Sequence, residues 1–184
     1  QLLATVLGPE ATQMVFVVPS FRSERITFGN LSYLSGGTPS PWDRDVDDAL
    51  ALVEVALGIT PEADPGRIGA VGFSRGAGVA LLMAARDPAI DVVVDFFGPT
   101  DFLSDWVRGI VRDALRGTTA GLPGFIPLNQ QFIQPFDRGE ISVAQFRLEL
   151  IRRSAILWAD RLPDVQIHHG QQDEAQTRGH GLLL

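Results

Sequence analysis

The chain has 184 residues, 45% of them hydrophobic and 20% charged, which suits one globular domain with a sizeable core. A net charge of -7, with no basic run or aromatic-basic stripe, argues against a nucleic-acid partner. The absence of cysteine excludes disulfides, thiolate metal sites and a cysteine nucleophile, and no apolar run is long enough to span a membrane. No secretory signal pattern is visible although the first residue is Gln1, so the compartment is left open with the cytoplasm preferred.

Met14-Val15-Phe16-Val17-Val18, ended by Pro19-Ser20, reads as a buried strand. A loop from Phe21 to Pro39 follows, containing Gly29-Asn30 and Gly36-Gly37. Ser40 as cap and Pro41 at the first helical position then predict a helix, with Val46, Leu50, Val53 and Leu57 on one face and Gly58 as its end. After the turn signal Asp64-Pro65-Gly66, the run Arg67 to Gly72 predicts a parallel strand.

That strand leads into Gly72-Phe73-Ser74-Arg75-Gly76, and Ala77 to Arg86 predicts a helix stopped by Asp87-Pro88. Strand, Gly-x-Ser-x-Gly and helix in this order have the form of a nucleophile elbow, a strained turn that exposes a serine hydroxyl and needs small neighbours. Gly72, Gly76 and Gly78 meet that need. A glycine-rich turn at a helix start can instead cradle a phosphate, although Gly-x-Gly-x-x-Gly is not present here.

Ile90 to Phe97, closed by Gly98-Pro99, and Val165 to His169, closed by Gly170, predict two further strands. More than sixty residues separate them, well beyond an ordinary crossover. They hold a helical stretch from Asp105 to Arg116, a Gly/Pro-rich turn from Gly117 to Pro127, and a helix from Ser142. There Ser142 and Gln145 fit a capping box, with Val143, Phe146, Leu150 and Ile151 as an apolar face. Residues 102–153 read as a helical cap over the strand ends, with 1–101 and 154–184 as the core; a decorated connection is the alternative. The fold class is α/β, a mostly parallel sheet with flanking helices.

A serine hydroxyl needs a base to take its proton and an acid to orient that base. Asp173, on a loop just past the Gly170 that ends a strand, is the leading acid candidate against a merely solvated aspartate; Asp101 is the reserve. Of the three histidines, His168 and His169 precede the acid and read as local packing, while His180 alone follows Asp173, only seven residues on. Phe73, Phe97, Phe102 and Trp106 are candidates for contact with an acyl substrate, core packing being the alternative. No metal ligand set and no organic cofactor are required.

Several blocks resemble the α/β-hydrolase fold, and within it the prolyl oligopeptidase-like and dienelactone hydrolase-like serine hydrolases. They are Val17 to Ser23, Asp45 to Leu50, Arg67-Ile68-Gly69 into the elbow, Gly98-Pro99-Thr100-Asp101, Ser154-Ala155, and His169-Gly170-Gln171-Gln172-Asp173. The resemblance implies Ser74 as nucleophile, Asp173 as acid and the Arg75 backbone N–H as an oxyanion donor. It also implies that an upstream His-Gly-Gly-type segment and a downstream strand with a catalytic histidine lie outside this sequence. The sheet would then have a gap beside the strand at Met14 to Val18, across which the chain is expected to self-associate.

The expected function is hydrolysis of a small-molecule ester or a peptide through an acyl-enzyme on Ser74. The alternative is an incompetent hydrolase-fold fragment or binding module, and a third reading is a phosphate- or nucleotide-binding domain.

Overall fold

In the computed structural model, residue 5 and residues 8–118, 121–122, 124–171 and 173 are described. A 3-10 turn at Gly8–Gln13 precedes an extended segment, then the hairpin of β1 (Arg25–Phe28) and β2 (Leu31–Leu34). Helix α1 (Arg44–Ile59) follows, then β3 (Ile68–Phe73), α2 (Arg75–Arg86) and β4 (Ile90–Phe96). Beyond them lie α3 (Asp105–Leu115), α4 (Phe125–Leu128), a π-helical turn (Asn129–Ile133), α5 (Gln134–Asp137) and α6 (Val143–Ile151). A 3-10 segment, Ala155–Arg161, leads to β5 (Asp164–His168).

Strands β3, β4 and β5 form a parallel sheet in that order, with Gly72 opposite Asp95 and Asp95 opposite Ile167. These short apolar runs join through helices, as parallel pairing requires. Helix α2 packs on the face that holds Val93 and Asp95, and its Ala, Val and Leu residues are buried almost all round. On the opposite face Phe73, Phe96 and His168 stand side by side, with Val92 and His168 exposed. One continuous apolar cluster runs from α2 through Trp42 and Phe102 to Phe125, Phe146 and Leu150, so residues 102–153 share the core of the sheet.

Met14 to Val18 is not a strand: the segment is exposed and extended, and among the described residues it pairs with no ladder. Its apolar run signals a wish for burial but supplies no neighbour to hydrogen-bond its backbone. The expected loop after it contains the β1–β2 hairpin, turned by Gly29-Asn30 with Gly29 at φ 58°. Helix α1 starts at Arg44 rather than Pro41, because Trp42 takes φ 56° and turns into the core, leaving Asp43 as the N-cap. The Gly/Pro-rich turn ends earlier than expected, at Phe125, where the helical run through Asp137 begins. On α6, Phe146 and Leu150 face the core, but Val143 is 60% exposed.

Candidate active site

The β3–α2 junction forces its geometry through sterics. A Cβ on Gly72 would lie 2.3 Å from backbone atoms of Gly76 and Ala77, so only glycine allows the chain to fold back so tightly. Ser74 has φ 49° and ψ -118°, a strained conformation for a residue with a side chain, and it is exposed at the head of α2. Its N–H donates to Phe96 O at 2.9 Å, and its carbonyl accepts from Ala77 N at 3.0 Å, fixing the turn to β4 and to α2. Arg75 is the first residue of α2, so its N–H has no acceptor within the helix and remains available beside the serine.

Arg75 is held on all sides. Its Nε and Nη2 donate to Asp45 Oδ2 at 2.9 and 2.6 Å, Nη1 donates to Glu24 Oε1, and the guanidinium lies 4.5 Å from the Phe21 ring centre. Its carbonyl accepts from Trp42 Nε1 at 3.1 Å. Trp42 reaches it because Gly78 has no side chain: a Cβ there would stand 2.8 Å from that indole nitrogen. Asp45 is fully buried, and burial pushes its pKa up against the opposing pull of Arg75.

Asp95, opposite Gly72 on β4, is also buried. Its Oδ1 accepts from Gly98 N at 2.7 Å, while Oδ2 has no hydrogen-bond partner among the described residues. Desolvation pushes its pKa up, opposed by the Gly98 hydrogen bond and by His169 and His168.

Asp173 lies past β5 with its Oδ2 3.5 Å from His169 Nε2, and its N–H donates to Gly170 O at 3.4 Å. His168 stacks on Phe96 with ring centres 4.5 Å apart. Asp101 Oδ1 accepts from Leu103 N at 2.7 Å, a local turn after β4. His180 lies outside the described residues.

The aromatic candidates divide into two places. Phe73 stacks on Phe96 at 4.6 Å and meets Phe97 at 6.2 Å, and Phe97 is itself at φ 48° just past β4. Phe102 is fully buried between Trp42 and Phe125, and Trp106 meets Phe125 edge-on at 5.5 Å, so both belong to the packed aromatic cluster. Among the described residues, no three His, Asp or Glu side chains group as a metal site.

Sequence reasoning missed the side chains that surround Arg75, namely Glu24, Asp45, Trp42 and Phe21, and it missed Asp95. Glu24 and Asp45 lie 51 and 30 residues from Arg75 in sequence, a separation that no local pattern encodes.

A model of the dienelactone hydrolase family matches residues 36–111, which carry α1, β3, the elbow, α2 and β4. No curated protein matches the chain in sequence. Among solved structures, the acylaminoacyl peptidase of Pyrococcus horikoshii is similar at 17% identity and a TM-score of 0.52, over 76% of this chain and 20% of that one. Acetyl xylan esterase 1 from Thermoanaerobacterium sp. is similar at 22% identity and 0.52, over 87% and 53%. An esterase of Pyrococcus furiosus is similar at 19% identity and 0.51, over 81% and 49%. The chain thus spans a fifth of the peptidase and about half of the esterases.

Proposed function

From the α/β-hydrolase fold that this chain has, and that its hydrolase-class neighbours have, we propose that it acts in a serine hydrolase cleaving ester or amide bonds. The observation that carries this reading is Ser74 itself, exposed on a strained turn between β3 and α2 with the Arg75 N–H beside it. Ser74 Oγ attacks the acyl carbonyl carbon while a histidine takes its proton, and the carbonyl oxygen becomes an oxyanion that accepts from Arg75 N–H. Collapse breaks the bond to the alcohol or amine, which leaves with the proton from that histidine. Water then attacks the acyl-serine by the same route, releasing the acid and restoring the hydroxyl. Asp173 orients the histidine, with His180 the candidate that follows it in chain order. His169, beside Asp173, holds the acid loop.

Residues 102–153 form the cap of this enzyme, and Phe73 and Phe97 at the strand ends are its candidates for acyl contact. The test is labelling of the purified chain with a fluorophosphonate and mass mapping of the adduct. A phosphonyl group on Ser74, absent in Ser74→Ala, is the expected result. A folded chain that takes no label would replace this reading with a non-catalytic hydrolase-fold module.

A further inference from the structure

We infer that the Arg75 side chain is a positioning residue for the oxyanion donor: its clamp between Asp45 and Glu24 holds the Ser74–Arg75 peptide in the orientation that catalysis needs. The inference rests on the serine-hydrolase reading and goes beyond it, since that reading uses only the backbone of Arg75.

Three observations carry it. First, the turn is strained: a positive φ at a residue with a side chain is costly and persists only where the surroundings over-determine it. The Ser74 N–H bond to Phe96 O fixes the residue on its β4 side, and Ala77 N and Gly78 N, donating to Ser74 O at 3.0 and 3.3 Å, hold the carbonyl end of the Ser74–Arg75 peptide, which leaves its other end, the Arg75 Cα, to be held by Arg75 itself. Second, Arg75 is tied at both remaining handles. Its carbonyl accepts from Trp42, and its guanidinium meets a carboxylate on α1, a second carboxylate at the edge of the hairpin, and the face of Phe21. A planar fork that donates to several acceptors loses little freedom per bond and transmits position to its own backbone.

Third, the pair is a poor choice for stability alone. Asp45 is fully buried, its Oδ1 has no hydrogen-bond partner among the described residues, and desolvation pushes its pKa up against the pull of Arg75. Buried ion pairs often break even or cost stability against an apolar replacement, and their best-attested service is to impose one conformation. Here the conformation imposed is that of the peptide whose N–H faces the reacting oxygen. Arg22 and Asp48, the parallel pair between the same loop and α1, lie partly exposed, whereas the Arg75–Asp45 pair is buried.

The test is the rate of fluorophosphonate labelling at Ser74 in Arg75→Met, Arg75→Lys and Glu24→Gln, each checked for folding by thermal melting. Peptide-level hydrogen exchange over residues 72–80 is measured alongside. A misplaced donor is expected to lower the saturating labelling rate about tenfold or more in Arg75→Met, with the half-saturating probe concentration little changed. Arg75→Lys, which keeps the charge but loses the fork, should recover part of that rate, and Glu24→Gln should fall between the lysine variant and the parent chain. Exchange at the elbow should rise in the same order. If Arg75→Met melts lower but its folded fraction labels at the parent rate, the clamp is structural only and the inference is overturned. If the parent chain itself takes no label, the hydrolase reading fails and the catalytic role of the clamp fails with it.

Discussion

Ser74, just past the end of β3, and Asp95, opposite Gly72 on β4, show how differently single residues expose their role. Ser74 is legible because everything that makes it a nucleophile candidate is local: a strand, a glycine where a Cβ would come within 2.3 Å of the backbone, and a helix start. Asp95 sits inside an apolar strand run, and nothing in the run says which of its alternate positions is buried. The partners of Arg75 were hidden for a related reason. A chain with 15 cationic and 22 acidic residues offers many pairings, and only the fold selects Asp45 and Glu24. Asp95 carries a pH prediction of its own. Its folded pKa is raised by desolvation, so folding favours the protonated form; that contribution is complete below the ordinary aspartate pKa and is lost as pH rises through the raised value. Asp95→Asn should therefore gain stability relative to the parent chain as pH climbs from 4 to 8. Thermal melts at both pH values check this, and a difference that stays flat would refute it.

Elements were readable where their signals lie within one turn. The capping box of α6 is present in full: Gln145 N donates to Ser142 Oγ at 3.2 Å, and Ser142 N donates to Gln145 Oε1 at 2.7 Å. Ser142→Ala removes one arm, and a loss of about 1 kcal/mol is expected, a fall of about 2–4 °C in melting temperature for a domain of this size. An unchanged melting temperature would mean that α6 is held by packing alone. The helical run from Phe125 to Asp137 was not readable, because Pro127 and Pro135 argue against it. Pro127 falls within the first turn of its helix, where no N–H is required, and Pro135 comes directly after the π turn, where the regular hydrogen-bond ladder is already shifted. At the end of α6, Arg153 replaces an ordinary stop. Buried, with its pKa drawn down by desolvation, it donates to Pro41 O at 2.9 Å and to Glu149 O and Oε2 at 2.7 Å, tying the end of α6 to the entry of α1.

For the whole molecule, the α/β class, the parallel pairing and the long excursion before β5 all followed from the order of apolar runs and turns. The pairing partner of Met14 to Val18 did not, since a sequence reports which segments seek burial and not which neighbour is there to receive them. Among the described residues β3 is an edge strand, and it is along this edge that the expected self-association would act.

The excursion between β4 and β5 also sets a timetable. Strand β3, α2 and β4 follow one another directly and close only short loops, whereas β5 must bring its ends together across more than sixty residues before any pairing rewards it. The elbow is thus expected to form early and the loop that holds Asp173 last, so the proposed nucleophile precedes its proposed acid in folding. Pulsed hydrogen exchange during refolding should find the amides of β3 and β4 protected before those of β5, and simultaneous protection would refute that order. A newly made chain would therefore carry the strained turn at Ser74 before it carries the loop at Asp173.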